Sequence, residues 1–464
     1  MNTLNEIFRP ILTLALWTFL TALYGQNSHF VRGADGSLVD QVEQSGGVFY
    51  ENGVEKDAYE IFRDHGINNI RLKLWHSPEE PYNGLTRVLM MAKRVKALGM
   101  ELTLDFHFSD TWADPGHQTK PAAWSDLPYD LLTDSIRQYT RYVIYRMKQQ
   151  NTLPKYVQIG NEINCGILWN DGRVCNPYDN STQWNKLGGL LKNAIQGIHE
   201  ATTDEDTLKI ILHFGDGGDN GACRWFYDNI SEQSVPYDII GLSYYPWWHG
   251  IFAGLQYNLN DLAQRYGKEI MIVETGYPWT LGWNDNTNNI VGQPGQLMEG
   301  YPATIDGQYR YIRDLILLIK NTEGDKGAGM IYWSPEWISA PGLGSPWENV
   351  SLFDFENEML SSIVAFDENT GITSGQASEF GLENFPNPFQ QSTSIRFQMN
   401  EPGSVEITIY DAMGNKVFTP DRHAFPAGLQ SVSWNSHQLP EGIYFVEIII
   451  RDKKYRRKLV KSGH

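Results

Sequence analysis

The 464-residue chain contains few of the residues that mark metal-binding and disulfide-rich proteins. It has three cysteines, Cys165, Cys175 and Cys223, so at most one intramolecular disulfide can form. No cluster of histidines accompanies them, so neither a zinc site nor a cysteine nucleophile is indicated. A bridge between Cys165 and Cys175 would close a small loop.

Positive charge is also scarce. The chain has 37 Lys and Arg against 55 Asp and Glu, for a net charge of −18. Phosphate binding requires basic patches, so nucleic acid is not expected as a partner, whereas a neutral substrate is compatible with this charge.

Long apolar runs are absent after the first 25 residues. Within residues 1–25, a single Arg9 precedes an apolar stretch from Ile11 to Leu23, and small residues follow near Gly25. This pattern predicts a secretory signal peptide. An uncleaved N-terminal membrane anchor is the alternative, and no membrane span is expected once the signal is removed.

Short apolar runs of β-type residues alternate with helical patterns along the main part of the chain. Eight runs are predicted as strands, at residues 30–33, 70–74, 101–106, 156–159, 209–213, 239–243, 269–273 and 330–333. The alternation predicts an α/β fold, a (β/α)₈ TIM barrel. A doubly wound open sheet is the main competitor, but no glycine-rich phosphate-binding motif supports it.

The character of the sequence changes towards the C-terminus. A stretch rich in Gly, Ser, Thr and Asn is followed by β-forming runs at 394–398, 404–410, 430–434 and 443–450, which predict a small all-β sandwich. The predicted domains are therefore a signal peptide at 1–25, the barrel at 27–368, a linker at 369–383 and the sandwich at 384–464.

Two glutamates carry the strongest chemical signal. Glu162 and Glu274 each follow a short apolar run and are expected at the carboxyl end of a buried strand, which is the catalytic face of a barrel. Hydrolysis of a glycosidic bond needs one carboxylic acid to protonate the leaving oxygen and one carboxylate to attack or to activate water. The pair predicts a glycosidase.

Other polar and aromatic residues lie on or just after the predicted strands. An inward Arg71 near a carboxylate would keep that carboxylate ionised, although a surface salt bridge is the alternative. His107 could bind a sugar or orient a carboxylate, or be a core histidine. Tyr244 and Tyr245 would point to opposite faces, and Tyr245 is favoured as the neighbour of Glu274. The predicted substrate-binding residues are Arg71, His107, Asp110, Trp112, Asn161, His213, Tyr245, Trp248, Trp333 and Trp337.

Several strings, in order along residues 28–366, resemble glycoside hydrolase family 53. They include Ile70-Arg71-Leu72-Lys73-Leu74-Trp75, Asp105-Phe106-His107-Phe108-Ser109-Asp110-Thr111-Trp112, Gly160-Asn161-Glu162, Glu274-Thr275-Gly276-Tyr277-Pro278 and Tyr332-Trp333-Ser334-Pro335-Glu336-Trp337.

This resemblance implies an endo-β-1,4-galactanase with a retaining mechanism, in which Glu162 is the acid/base and Glu274 the nucleophile. It also implies that Asn161 binds the sugar 2-hydroxyl and that Trp333 lies beneath the cleaved sugar. Members of the family usually have Glu where this chain has Ser334, so polar contacts there are expected to differ.

No organic cofactor is expected. Some bacterial relatives carry calcium in the loop after the seventh strand, where this chain has Asp285, Asn286 and Asn288. One aspartate is a poor supply for an ion that takes six to eight oxygen ligands, so a polar loop is the alternative.

The C-terminal region resembles the sorting domain of type IX secretion, through Asn384-Phe385-Pro386-Asn387-Pro388-Phe389 and Leu439-Pro440-Glu441-Gly442-Ile443-Tyr444. This implies export across the outer membrane by the secretion machinery, to a secreted or cell-surface location. A carbohydrate-binding sandwich, with Trp434 as its platform, is the rival interpretation.

The sequence thus predicts a secreted endo-hydrolase of galactan side chains of pectin. The alternatives are a hydrolase of another β-1,4-glycan and a non-catalytic surface glycan-binding protein.

Overall fold

The computed structural model describes residues 30–367 and 382–462, apart from gaps at 386–388, 400–401, 412–414, 420–422, 427, 437–438 and 451–452. The predicted signal peptide lies outside the described residues, as does the predicted linker except for residues 382 and 383. The chain divides into two compact units, one ending at Phe366 and one beginning at Asp367.

The first unit contains a closed barrel of eight parallel strands, which confirms the predicted fold. Each strand pairs with its neighbours in chain order, and the first pairs with the last. The strands are β1 (Val31–Asp35), β2 (Asn69–Leu74), β3 (Glu101–Phe106), β4 (Tyr156–Ile159), β5 (Lys209–Phe214), β6 (Ile239–Tyr244), β7 (Glu269–Thr275) and β8 (Gly327–Tyr332).

Helices connect these strands on the outside of the barrel. They are α1 (Val39–Gln44), α2 (Ala58–Asp64), α3 (Leu85–Ala97), α4 (Tyr129–Gln149), α5 (Ser181–Ala201), α6 (Asn220–Glu232), α7 (Pro246–His249), α8 (Phe252–Tyr266) and α9 (Ile305–Lys320). Short 3₁₀ segments lie at Ala122–Trp124, Ile163–Cys165, Pro294–Gln296, Glu323–Asp325 and Ser361–Phe366. Two small antiparallel ribbons pair Tyr50–Glu51 with Val54–Glu55 and Gly166–Ile167 with Gly172–Arg173. No helix of the described residues has the length and apolar composition needed to cross a bilayer.

The ends of α2 show how the local sequence sets a helix. The helix begins after Asp57, whose side chain accepts a hydrogen bond from Tyr59 N, and it ends shortly before Gly66, which has φ of +87°. An aspartate N-cap and a left-handed glycine are the preferred start and stop of a helix.

The interior of the barrel has an apolar end and a polar end. One apolar layer is formed by Val31, Tyr156, Ile211, Ile239, Met271, Val273 and Ile331. Nearer the carboxyl ends of the strands, the buried side chains become polar and charged, and they include Arg71, Lys73, Asp105, Gln158 and His213. Charged groups are seldom buried unless they are paired, so this second layer indicates a functional site.

The second unit is built from strands in two antiparallel sheets, as predicted. One sheet contains β9 (Glu383–Phe385), β10 (Ser392–Met399) and β14 (Gly428–Asn435). The other contains β11 (Gly403–Asp411), β12 (Lys416–Phe418), β13 (His423–Phe425), β15 (Gly442–Ile450) and β16 (Lys453–Lys461). Trp434 is only 1% exposed and packs against Phe389 and Tyr444, so it cannot be the sugar platform of the rival interpretation.

Candidate active site

Glu274 reaches the barrel mouth through an irregularity in β7. Val273 belongs to the apolar layer inside the barrel, so a regular strand would point Glu274 outward. The pairing with β6 shifts here, because Leu242 pairs with Ile272 and the next residue, Ser243, pairs with Glu274. Such a bulge re-aims a side chain, and Glu274 lines the cleft at the carboxyl ends of the strands.

Two groups hold the Glu274 carboxylate. Arg71 Nη2 lies 3.0 Å from Glu274 Oε1, and the hydroxyl of Tyr245 donates to Oε2 at 3.3 Å. The neighbouring Tyr244 points away from the cleft, where it donates to Gly250 O and stacks on Phe252. The preference for Tyr245 over Tyr244 as the neighbour of Glu274 is confirmed.

Arg71 is the centre of a buried ionic network. Its side chain is fully buried, and it donates to Asp35 Oδ2 at 2.7 Å, to Asp105 Oδ2 at 2.9 Å and to Asn161 Oδ1 at 2.8 Å. Nearby carboxylates raise the pKa of Arg71, so the guanidinium remains charged. The alternative of a surface salt bridge for Arg71 is therefore wrong.

Glu162 lies on the turn that follows β4. Its backbone is left-handed, with φ of +45° and ψ of +55°, a conformation that costs free energy for a residue with a Cβ atom. The Ser243 hydroxyl donates to Glu162 Oε1 at 2.6 Å. A Cβ at Gly215 would lie 2.9 Å from the Glu162 carboxyl carbon, so a larger residue there would displace the carboxyl group.

The two carboxyl groups are in different electrostatic environments. Burial raises the pKa of Glu162 well above its usual range, and the negative charge of Glu274 raises it further. Burial also raises the pKa of Glu274, to about 7, but the Arg71 cation opposes this increase. Glu162 is therefore the carboxyl group that retains a proton when Glu274 is ionised.

The two glutamates line an open cleft of about 270 Å³. Most of its wall is aromatic, which suits the flat apolar faces of sugars. The lining residues are Trp112, Ala113, Asp114, Asn161, Glu162, Tyr245, Trp248, Glu274, Trp333, Trp337 and Trp347.

Six of the ten predicted substrate-binding residues line this cleft: Trp112, Asn161, Tyr245, Trp248, Trp333 and Trp337. His107 and His213 are buried behind it, beside Asp105 and Ser243 respectively.

Asp110 was predicted to bind sugar, and the structure gives it a different contact pattern. Its carboxylate accepts hydrogen bonds from Ser77 N and Ala122 N, both at 2.8 Å. These bonds brace two loops, so Asp110 is a loop-bracing residue here.

The sequence analysis missed several residues that the structure brings to the site. Trp347 and Asp114 line the cleft, Ser243 contacts Glu162, and Asp35 and Asp105 contact Arg71. Asp35 and Asp105 lie at inward positions of apolar strands. The alternation of inward and outward side chains along those strands could have predicted them. Trp347 follows the barrel strands in a long loop, so no periodicity could place it.

A buried lysine and a buried glutamate lie close to this aromatic wall. Lys73 Nζ is 4.5 Å from the ring centre of Trp112 and 5.3 Å from that of Trp333. Glu336 accepts from Leu38 N at 2.8 Å, and burial raises its pKa to about 8. Glu336 thus supplies a carboxylate two residues after Ser334, the position where the sequence departs from the family pattern.

The predicted calcium loop is held by its own hydrogen bonds. The Asp285 carboxylate accepts from Thr287 N at 2.5 Å, from the Ser339 hydroxyl at 2.6 Å and from Ser345 N at 2.8 Å. Donors directed at these oxygens repel a cation, so the Asp285, Asn286 and Asn288 loop does not fit calcium. No cluster of three or more His, Cys, Asp or Glu side chains within the described residues could hold a metal ion.

A disulfide joins Cys165 to Cys175, directly after Glu162. The enclosed loop also contains the ribbon of Gly166–Ile167 and Gly172–Arg173. Cys223 is free and buried. The bridge restrains the chain that carries Glu162.

Comparison with known proteins decides the family. Residues 31–366 match the family described as Glycosyl hydrolase family 53. The chain belongs to glycosyl hydrolase family 53. It is a glycoside hydrolase, and the buried carboxylate pair is what this chemistry requires.

Relatives in family 53 match nearly the whole barrel. A protein from Niallia circulans is 43% identical over 343 residues, covering 72% of this chain and 93% of its own length. An arabinogalactan endo-beta-1,4-galactanase from Cellvibrio japonicus is 35% identical, covering 73% of this chain and 91% of its own length. The solved GH53 catalytic domain of Ignisphaera aggregans has 38% identity and a TM-score of 0.69, covering 74% and 97% of the two chains.

The C-terminal unit has its own match. Residues 383–462 match the family described as Secretion system C-terminal sorting domain. The match begins at the first residue of β9, one residue before the predicted boundary. This sorting domain indicates export, with secretion or attachment to the cell surface.

Proposed function

We propose that this chain hydrolyses β-1,4-galactosidic bonds within galactan with retention of anomeric configuration. The observation that carries the proposal is the unequal placement of the two carboxyl groups. The Arg71 cation lies 3.0 Å from Glu274, whereas Glu162 accepts a hydrogen bond from the neutral hydroxyl of Ser243. Retention requires this division between an ionised nucleophile and a protonated acid.

In the first step, Glu274 attacks the anomeric carbon while Glu162 donates its proton to the departing glycosidic oxygen. A covalent glycosyl-enzyme forms and the charge of Glu274 is neutralised, so the proton affinity of Glu162 falls. Glu162 then removes a proton from water, the water attacks the anomeric carbon, and Glu274 leaves as a carboxylate. Two carboxyl groups and water balance the reaction, so no organic cofactor is needed.

Asn161 is the proposed ligand of the sugar 2-hydroxyl. Its amide oxygen accepts from Arg71, and its nitrogen donates one hydrogen to Ala113 O at 2.8 Å. An amide nitrogen carries two hydrogens, so one is left to donate into the cleft that Asn161 lines. A bond to the 2-hydroxyl that strengthens in the transition state contributes several kcal/mol in glycosidases.

The aromatic wall consists of two ring clusters. Trp112, Trp333 and Trp337 form one cluster, and Tyr245, Trp248 and Trp347 form another. We assign Trp333 to the cleaved sugar and the outer rings to its neighbours along the glycan. An open cleft with several rings suits attack within a polymer.

The proposed substrate is the neutral (arabino)galactan side chain of pectin, since the Cellvibrio japonicus relative is an arabinogalactan endo-beta-1,4-galactanase. The proposed partner of the C-terminal unit is the type IX secretion machinery, in line with its sorting-domain match.

The test is an assay of purified protein on linear β-1,4-galactan, β-1,4-mannan and cellulose, with Glu162→Gln as the inactive control. Oligosaccharides released from galactan alone, and absent with the control, support the proposal. Equal hydrolysis of mannan or cellulose would move the substrate to another β-1,4-glycan. Binding of galactan without hydrolysis would indicate a glycan-binding protein instead.

A further inference from the structure

Three hydrogen bonds form a circuit that begins and ends on Glu162. Glu162 N donates to His213 Nδ1 at 3.2 Å, and His213 Nε2 lies 2.9 Å from Ser243 Oγ. The Ser243 hydroxyl donates to Glu162 Oε1 at 2.6 Å. His213 and Ser243 are fully buried and lie outside the cleft lining, so both act on Glu162 from behind the space for the sugar.

The donors around His213 set the direction of this circuit. The Glu162 backbone N–H points at Nδ1, and Gln158 Nε2, which also donates to Asp105 Oδ1 at 2.7 Å, lies 3.0 Å from the same ring nitrogen. Nδ1 is therefore the acceptor and the ring hydrogen is on Nε2. Ser243 Oγ accepts a hydrogen bond from Nε2–H, and the Ser243 hydroxyl donates a hydrogen bond to Glu162 Oε1.

One neighbouring oxygen favours the opposite tautomer. Asn161 Oδ1 lies 3.0 Å from His213 Nδ1, and it already accepts from Arg71 at 2.8 Å. A hydrogen on Nδ1 would bond to Asn161 Oδ1 but would face the Glu162 backbone N–H. That N–H can only donate, whereas Asn161 Oδ1 already has a partner, so the hydrogen on Nε2 is favoured.

The charge around the ring agrees with a neutral His213. Burial lowers the pKa of His213 well below its usual range, and the nearby Arg71 and His107 lower it further, against the opposing charge of Asp105. A neutral ring carries a single hydrogen, so the circuit has one direction.

We propose that Ser243 is a positioning residue for the acid/base carboxyl group. Its hydroxyl donates a hydrogen bond to Glu162 Oε1. The acid proton is therefore carried on Oε2, from which it is presented to the glycosidic oxygen. This inference rests on the proposed role of Glu162. A carboxyl group with two free oxygens would distribute its proton between them and rotate, and only part of the population would be aligned for transfer.

The same bond acts in the second step. Once Glu162 is ionised, Ser243 continues to donate to Oε1 and stabilises the carboxylate. The charged groups that also act on Glu162 are Glu274, Asp114 and Arg71, and they are unchanged when Ser243 is replaced. Loss of the hydroxyl therefore shifts the alkaline limb of the pH profile towards higher pH.

The test compares Ser243→Ala with the parent on two substrates. On galactan, whose leaving group needs a proton, kcat/KM should fall about tenfold to a hundredfold, a part of what acid catalysis contributes. On a dinitrophenyl β-galactobioside, whose leaving group needs none, kcat/KM should remain within about twofold. Ser243→Thr, which keeps the hydroxyl, should recover most of the loss.

Ser362→Ala is the matched control, since Ser362 is also fully buried and donates to Gln308, and neither residue lines the cleft. It should alter neither the substrate ratio nor the pH profile. ¹⁵N NMR of the parent, labelled at histidine, needs no variant and should show His213 neutral with its hydrogen on Nε2.

Equal losses on both substrates, failure of Ser243→Thr to recover activity, or a hydrogen on Nδ1 would each overturn the inference. A parent without galactanase activity, or a fully active Glu162→Gln, would instead overturn the proposed function.

Discussion

Arg71 Nη2 lies 3.0 Å from Glu274 Oε1 and joins β2 to β7 inside the barrel. The same guanidinium contacts Asp35 and Asp105, so three carboxylates share one cation. This excess of negative charge can be tolerated only while Arg71 remains in place. The ionisation of Glu274 is therefore controlled by a residue three strands away around the closed barrel.

Replacing Arg71 should change the acid limb of the pH profile. Activity requires Glu274 ionised, so it rises with pH through the pKa of Glu274, which is about 7 in the presence of Arg71. Arg71→Met removes the group that lowers this pKa, so the acid limb should move to higher pH. Because an uncompensated buried charge costs about 3–5 kcal/mol, kcat/KM at neutral pH should fall roughly a hundredfold or more.

Arg71→Lys is the control, because it keeps a cation but loses the second arm of the guanidinium. It should shift the limb less than Arg71→Met does. An unchanged acid limb in folded Arg71→Met, measured by initial rates across pH, would show that Arg71 does not govern Glu274.

Azide should distinguish the two glutamates. In Glu274→Ala the nucleophile is missing, so azide can attack an activated β-galactoside directly and give the inverted α-galactosyl azide. In Glu162→Ala the glycosyl-enzyme still forms, and azide should release it as the β-azide. NMR of the products reads the anomer, and the opposite stereochemistry would exchange the two roles.

Lys73 should affect sugar binding through the rings that cover it. Its ammonium lies against Trp112 and Trp333, and a desolvated cation–π contact contributes on the order of 0.5–2 kcal/mol. Lys73→Met should weaken galacto-oligosaccharide binding by about twofold to thirtyfold, measured by calorimetry on the Glu274→Gln background. Lys73→Arg preserves the charge and should bind nearly as the parent does; equal weakening by both would indicate packing instead of charge.

The disulfide should stabilise the loop that follows Glu162. A bridge that spans 10 residues removes chain entropy from the unfolded state, for about 2–3 kcal/mol. Cys165→Ser with Cys175→Ser should lower the free energy of unfolding by this amount in a denaturant titration. Cys223→Ser removes the free buried thiol and is the control variant, measured under the same redox conditions as the double variant. Equal free energies of unfolding for the reduced and the oxidised parent would exclude a stabilising bridge.

The C-terminal unit should be needed for export but not for hydrolysis. Deletion of residues 384–464 should leave kcat/KM on galactan unchanged, because the cleft is formed by barrel residues alone. The truncated protein should accumulate in the periplasm, as measured by fractionation and activity. Loss of activity in a folded truncated protein would show a role beyond sorting.

The barrel could be predicted from the sequence because its signals are local. Each strand is an apolar run, and the helices end near glycines such as Gly66 and Gly99, which adopt positive φ. The two glutamates were predictable for the same reason, since each follows a strand directly.

The rest of the site depends on contacts that sequence spacing does not record. The shift between Leu242 and Ser243 breaks the alternation of β7, and without it Glu274 would be assigned to the wrong face. Asp110 is a residue type that commonly binds sugars, but its carboxylate accepts hydrogen bonds from two backbone N–H groups. The role of Ser243 could not be predicted, because it depends on a contact with His213, 30 positions away in the sequence.

The most direct test of the central claim is the anomer of the first product released from linear β-1,4-galactan, followed by proton NMR within minutes of mixing. The two-carboxylate account predicts that the new reducing ends appear first as the β-anomer, with the α-anomer growing later by mutarotation. Initial release of the α-anomer would contradict it, because Glu274 would then activate water instead of attacking the sugar.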